Sequence, residues 1–309
     1  MNKKAAQSNI SLLLAAAIWG LAFVAQSDAM NYIGPFAFTS IRYFIGSFAL
    51  VPVFAFTLSA YKKKNGKEAM KASAKKSVLS GMLSGFALFF ASVAQQIGLK
   101  YTAAGKAGFI TALYIVLVPV LGRVVLKSKS SINTWVSVVI AAAGLYLLCM
   151  NGSFSVEKGD LMLILCAFLF SVQILIIDRC TKDTDTVLVS SVQFLTAGII
   201  SIPFALLLEG RTTLDMVYDA RLSILYTGLL STAVAFTLQI VGQKSSGNPT
   251  VASLLMSMES VFAAIFGWLI LKESFSGREF CGVILMSAAI VLSQIPSHSF
   301  KKRNKHKST

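Results

Sequence analysis

Ala107–Cys149 reads AGFITALYIVLVPVLGRVVLKSKSSINTWVSVVIAAAGLYLLC, and Ala252–Gln294 reads ASLLMSMESVFAAIFGWLILKESFSGREFCGVILMSAAIVLSQ. Laid over each other without a gap, nine positions are identical, among them Gly122/Gly267, Leu126/Leu271, Lys127/Lys272 and Ser131/Ser276. A short indel upstream then brings Gln95, Gly98 and Lys100 over Gln239, Gly242 and Lys244. The chain therefore contains one unit written twice. Glycines at matched depth, such as Gly122 and Gly267, point to helices that approach closely.

Working outward, apolar runs fall roughly at 10–26, 35–58, 78–99, 107–126, 132–150, 159–177, 186–208, 222–243, 249–271 and 279–295. Each is near the 17–25 residues that an α-helix needs to cross a hydrocarbon core of about 30 Å. A membrane barrel would show shorter segments of alternating polarity. Backbone groups in lipid must be satisfied within the segment, so the runs predict ten transmembrane helices in an all-α protein. Five segments per copy is an odd number, so the second copy enters the bilayer from the other side. The expectation is two inverted five-helix repeats, over 9–150 and 158–295, followed by a basic tail at 296–309. Inverted repeats suit secondary carriers, because two related halves can rock about a central site.

Composition agrees. The chain is 55% hydrophobic and 13% charged with a mean hydropathy of +0.72, against about 25% charged residues in soluble domains. Its formal charge of +15 would suggest nucleic acid in a soluble protein, but the distribution explains it differently. Alternating the loops puts nineteen Lys and Arg residues on one side, including Lys62–Lys64, Lys75, Lys76, Arg179, Lys182 and Lys244. The other side takes seven: Lys100, Lys106, Lys158, Arg211, Arg221, Lys272 and Arg278. The bias places both termini in the cytoplasm, and the tail after Pro296 against anionic headgroups. Lys3 and Lys4 before the first run imitate a secretory signal. Segment one is needed to match segment six, however, so it is expected to stay. Nucleic acid is not an expected partner.

The four cysteines lie within or at the ends of apolar runs without paired spacing, which suits free thiols used in packing. Both histidines, His298 and His306, are in the tail, so no histidine metal site or catalytic site is expected in the membrane. No cofactor is implied. A G-x-x-x-x-G-K-[ST] loop does not occur, so energy would come from an ion or solute gradient.

Several short elements resemble the EamA-type members of the drug/metabolite transporter superfamily. Segment one has Ile18-Trp19-Gly20 followed by Ala22-Phe23, and segment two has Ile41-Arg42-Tyr43-Phe44-Ile45. Segment four has Thr111-Ala112-Leu113-Tyr114; segment nine has Met258-Glu259-Ser260-Val261-Phe262 and ends Gly267-Trp268-Leu269-Ile270-Leu271-Lys272-Glu273. The resemblance covers about residues 9–295. Many members carry proline where Ile115 and Ser260 stand here, although Pro119 remains. The resemblance implies a carrier working by alternating access, with segments three, four, eight and nine closest to a central cavity. It also implies export of small organic metabolites such as amino acids or drugs from a bacterial cell membrane. Import by the same fold, an integral membrane enzyme and a channel are the alternatives. The loops offer no acid, histidine or serine cluster for an enzyme, and no ring of like charge marks a channel.

Within the segments, Glu259 costs most. Counted from Pro249 it lies about 15 Å deep, where a charged carboxylate costs several kcal/mol unless it is protonated or faces water. It can carry a proton, pair with a substrate amine, or serve as a structural acceptor. Arg42 lies about seven residues into segment two from the outer side, about 10 Å down. It either snorkels to the headgroups or reads an anionic group with its planar fork. Gln95 and Gln239, matched between copies, can bind polar solutes or join helices. Trp19 and Tyr114 can wall a cavity. Expected partners are a small-molecule substrate, the lipid bilayer, protons as coupling ion and a second copy in a homodimer.

The charge bias has a direct test. Reporters after Thr309 and at Asn65 should both be cytoplasmic, and one at Ser153 external. Ser153 and Thr309 on the same side would exclude the inverted repeat.

Overall fold

Leu207 and Phe56 are largely exposed, while Ser77, Ser84, Ser92, Gln96, Gln173 and Gln193 are fully buried. That polarity, apolar outside and amide or hydroxyl inside, is the reverse of a water-soluble helix bundle and fits helices solvated by lipid. The computed structural model describes residues 3–125, 127, 131–149, 158–271 and 276–295. The linker at 150–157, the Lys272–Phe275 stretch and the basic tail at 296–309 lie outside the described residues, as do the surroundings of Gly267.

All regular structure among the described residues is helical. In chain order the helices are α1 (Lys3–Ala29), α2 (Pro35–Asn65), α3 (Lys67–Leu99), α4 (Ala104–Ala112), α5 (Tyr114–Val125), α6 (Ile132–Cys149), α7 (Lys158–Cys180) and α8 (Thr186–Leu208). They continue with α9 (Leu214–Asp219), α10 (Arg221–Leu225), a π-helical segment (Tyr226–Phe236), α11 (Thr237–Ser246), α12 (Pro249–Met256), α13 (Glu259–Leu271) and α14 (Gly277–Gln294). Nine stretches among the described residues are long and apolar enough to cross a membrane. The fifth apolar run gives the shorter Ile132–Leu148 helix.

Three of the apolar runs are not single regular helices. Segments four and nine break at Leu113 and at Ser257–Met258, and segment eight passes through the π-helical turn. The first two breaks occupy the same repeat position, and proline does not make them. Instead the chain tightens into a 3₁₀ turn. Leu113 N–H donates to the Ile110 carbonyl (3.2 Å) and Met258 N–H to the Leu255 carbonyl (3.3 Å). The α5 and α13 halves thus begin at Tyr114 and Glu259, which are equivalent residues.

The contacts extend the repeat to the remaining helices. Aligning Pro52 with Pro203, each inside its helix, also superposes Leu12/Leu163, Ala16/Ala167 and Ser40/Ser191. Equivalent residues then make equivalent contacts. Ser40 Oγ donates to the Gly198 carbonyl (3.1 Å) and Ser47 Oγ to the Ser191 carbonyl (2.9 Å). As numbering rises along α2 it falls along α8, so these equivalent helices run antiparallel about a local two-fold axis. Tyr43 and Phe194, also equivalent, stack on each other with centroids 5.8 Å apart. A Cβ on Gly98 would meet Leu163 Cγ at 2.5 Å, and one on Gly242 would meet Leu12 Cγ at 2.5 Å.

A close backbone approach lies beside the break in segment nine. A Cβ on Gly20 would sit 2.7 Å from the Glu259 carbonyl oxygen and 2.8 Å from the Ala263 nitrogen. Both are backbone atoms that cannot swing away. Gly20→Ala should therefore cost about 1–3 kcal/mol or more through overpacking. Gly105→Ala, whose Cβ would meet nothing within 4 Å, should leave the thermal midpoint of the purified protein unchanged. Equal midpoints for the two variants would contradict this packing.

Candidate functional site

Where the two breaks face each other, the helices line a cavity of about 40 Å³. Its lining comes from α1, α2, α3, α4, α5, α7, the π-helical segment, α11, α12 and α13. Segments one, two and six therefore contribute alongside the expected three, four, eight and nine. The lining contains every residue singled out from the sequence: Glu259, Arg42, Gln95, Gln239, Tyr114 and Trp19.

Much of the wall consists of equivalent pairs. Trp19 pairs with Phe170, Phe23 with Ile174, Gln95 with Gln239, Thr111 with Met256 and Tyr114 with Glu259, and all ten residues line the cavity. At the axis itself Tyr114 donates its phenolic hydrogen to Glu259 Oε1 (3.0 Å). Glu259 is also the first residue of α13, where the half-helix dipole favours an anion. One wall is aromatic: Trp19 meets Phe236 edge-on at 4.9 Å and donates its indole N–H to the Ser231 carbonyl (3.2 Å).

Arg42 does not snorkel. Its side chain is buried, 2% exposed, because the rings of Tyr43 (4.7 Å) and Phe38 (5.3 Å) hold the guanidinium between them, as cation–π attraction favours. Nη1 donates to Gln26 Oε1 (2.8 Å) and Nη2 to the Tyr43 hydroxyl (3.3 Å). Gln26 Oε1 also accepts from Gln96 Nε2 (2.5 Å), and Tyr43 bonds Ser92. Arg42 Nε has no partner, and no carboxylate forms a salt bridge with Arg42 among the described residues. A cation buried without a counter-charge is costly, and here hydrogen bonds and two aromatic rings stand in for one.

The alignment that pairs the walls shows where symmetry fails. Gln193 stands at the repeat position of Arg42, Ile177 at that of Gln26 and Ile240 at that of Gln96. The hydrogen-bonded cluster around Arg42 thus occurs once. The opposite end, which carries Lys76, Lys182 and Lys244 and is here termed the basic end, has aliphatic residues instead.

The scan against protein families matches residues 7–150 and again 157–294 to the EamA-like transporter family. The chain belongs to the EamA-like transporter family. It is a multi-pass membrane transporter, not an enzyme. Among relatives of this EamA protein, an uncharacterized transporter of Archaeoglobus fulgidus is 28% identical over 285 residues, covering 92% of this chain and 85% of the relative. The uncharacterized transporter YoaV of Bacillus subtilis is 23% identical over 283 residues, covering 89% and 92%. A chloroplastic WAT1-related protein of Arabidopsis thaliana is 24% identical over 291 residues, covering 90% and 67%. A solved crystal structure superposes with a TM-score of 0.73 at 18% identity, covering 94% of this chain and 96% of the other, and so shares the fold.

Sequence reasoning missed several lining residues of this EamA cavity. Gln26 is an amide in an apolar run with no matched partner in the other copy, and its role as the common acceptor for Arg42 and Gln96 needs the azimuth of three helices. Phe23, Phe170 and Ile174 carry no signal that separates a cavity wall from lipid-facing or packed residues.

Proposed function

We propose that this EamA protein is a secondary carrier with ten membrane helices in two inverted halves and both termini in the cytoplasm. It exports small organic metabolites that combine a charged head with an apolar body, such as amino acids or amphiphilic drugs, across a bacterial cytoplasmic membrane. The observation that carries this reading is the ionic content of one cavity. A buried guanidinium without a counter-ion and a buried carboxylate with a single side-chain hydrogen bond share walls of Trp19, Phe23, Phe170 and Phe236.

A solute carboxylate would accept from Arg42, whose fork suits a planar anion. A solute ammonium would pair with Glu259, and the apolar body would lie on the aromatic wall. Gln95 and Gln239 would offer amides from matching positions. Burying an unpaired carboxylate costs several kcal/mol. Glu259 therefore carries either a proton or the solute cation, one at a time, and that competition exchanges solute for protons. Direction outward rests on resemblance, and the chain has no phosphate-binding loop to drive it with nucleotide.

The test begins with a metabolite panel in vesicles holding the purified protein, with and without a pH gradient. Once a substrate is found, Glu259→Gln should fold, still bind or exchange solute, and lose flux driven by the gradient. Glu259→Ala should lower folded yield further, because the Tyr114 hydroxyl loses its acceptor. Unchanged gradient-driven flux in Glu259→Gln would make Glu259 a structural residue.

A further inference from the structure

Directly towards the basic end from the cavity, three helices present two successive layers of different chemistry. The first layer is amide: Gln173 from α7, Gln193 from α8 and Gln239 from α11, all buried. Gln239 Nε2 donates to Gln173 Oε1 (3.2 Å). The remaining polar atoms of these side chains, namely Gln173 Nε2, Gln239 Oε1 and both Nε2 and Oε1 of Gln193, have no hydrogen-bond partner among the described residues. Ser190 Oγ, on the same helix as Gln193, also has none.

One turn further along, Ile177, Val189 and Ile240 form a separate, fully buried aliphatic cluster with one residue from each of the same helices. Spacing links the layers, because Gln173 precedes Ile177 and Gln193 follows Val189 by one helical turn, while Gln239 adjoins Ile240. Beyond the cluster, Lys244 Nζ donates to the Thr184 carbonyl (2.7 Å) and to Thr186 Oγ1 (3.3 Å). The Thr181 hydroxyl donates back to the Ile177 carbonyl (2.7 Å).

Unpartnered amides this deep are expensive to retain: each buried donor or acceptor left unmet costs about 1–3 kcal/mol. Leucine or methionine would fill the same volume without that cost. Their persistence beside the cavity, with Gln239 belonging to both, points to a ligand that meets them for part of the cycle. No charge accompanies them, so the ligand is uncharged and hydrogen-bonding.

We infer that Gln173, Gln193 and Gln239 form a second polar subsite for water and uncharged hydrogen-bonding groups, which Ile177, Val189 and Ile240 seal from the basic end. It rests on the reading of the cavity as the transport site and extends the route from there towards the cytoplasm. The seal works by dewetting: three aliphatic side chains in contact exclude the water that the amides attract. At the equivalent place on the other side stand Gln26, Phe38 and Gln96 with Arg42, where hydrogen bonds already join Gln26 to both Arg42 and Gln96 and the Phe38 ring packs on the guanidinium. The two ends therefore close by different chemistry, one with a polar clasp and one with a dry plug.

The probe is the proton, so no substrate need be known. Purified protein is placed in phosphatidylcholine–phosphatidylglycerol vesicles loaded with a pH-sensitive dye, with the membrane potential clamped, and the decay of an imposed pH gradient is followed. Ile240→Ser should wet the plug and speed the decay about ten-fold over the parent protein. Ile164→Ser, which alters a side chain exposed on the outer face of α7, should not. Adding Gln193→Leu to Ile240→Ser should return the decay to within about two-fold of the parent, by drying the layer above. Gln193→Leu alone should leave the thermal midpoint unchanged or higher, since it removes two unmet polar atoms.

Ile177→Thr tests the same seal from α7 if Ile240→Ser yields no folded protein. A folded plug variant that holds the gradient as well as the parent would overturn the inference. So would a Gln193→Leu midpoint lowered as far as that of Gly20→Ala, because Gln193 would then be a structural amide. Glu259→Gln leaves these outcomes in place, so failure of proton coupling at Glu259 and failure of the seal are distinguishable.

Discussion

The Tyr114–Glu259 hydrogen bond joins two residues that are the same position written twice. Equivalent residues touch only where a two-fold axis passes between them, so this contact, with the Tyr43–Phe194 stack, fixes the axis of the fold. The rest of the architecture depends on it. Helices α2 and α8 must run antiparallel, the breaks in segments four and nine must face each other, and the space between the breaks must lie at the centre. Close helix contacts at Gly20, Gly98 and Gly242 hold the surrounding helices to that axis. In lipid, association depends on such packing because apolar surface gains little by leaving hydrocarbon.

Symmetry supplies the cavity, and departures from it supply the chemistry. At the axis one copy offers a phenol and the other a carboxylate. Off the axis, one copy builds Arg42, Gln26 and Gln96 into a bonded cluster, while the other sets Gln193, Ile177 and Ile240 at the same positions. A fully symmetric cavity would place like charges opposite each other and repel them. Placing the cation and the acid at non-equivalent positions avoids that and leaves the two sides of the cavity chemically different.

Segments four and five were legible as a repeat because nine identities survive there, and all-α membrane architecture followed from run length and composition. Counting segments pairs one and two with six and seven, but their residue-by-residue match is not legible in the sequence. It rests on scattered identities such as Pro52/Pro203 and becomes visible through contacts. Glu259, Tyr114 and Gln95/Gln239 could be picked from depth and repeat position. The orientation of Arg42 could not, since depth along a helix says nothing about azimuth, and the rings of Phe38 and Tyr43 decide it. The helix breaks at Leu113 and Met258 arise without proline, so no residue type marked them. The aliphatic plug was invisible because isoleucine and valine read the same in a seal, in a core or against lipid.

In the proposed mechanism, solute and proton compete for one carboxyl group on the axis. That competition is tested most directly by counting protons when a transported solute, once identified, is added to the purified protein in weakly buffered detergent solution with a pH indicator. Competition at this carboxyl predicts proton release on solute binding, near one proton per bound solute under conditions where Glu259 starts protonated, and none from Glu259→Gln that still binds. Saturable binding by the parent protein with no proton released across the accessible pH range, or equal release from Glu259→Gln, would contradict it.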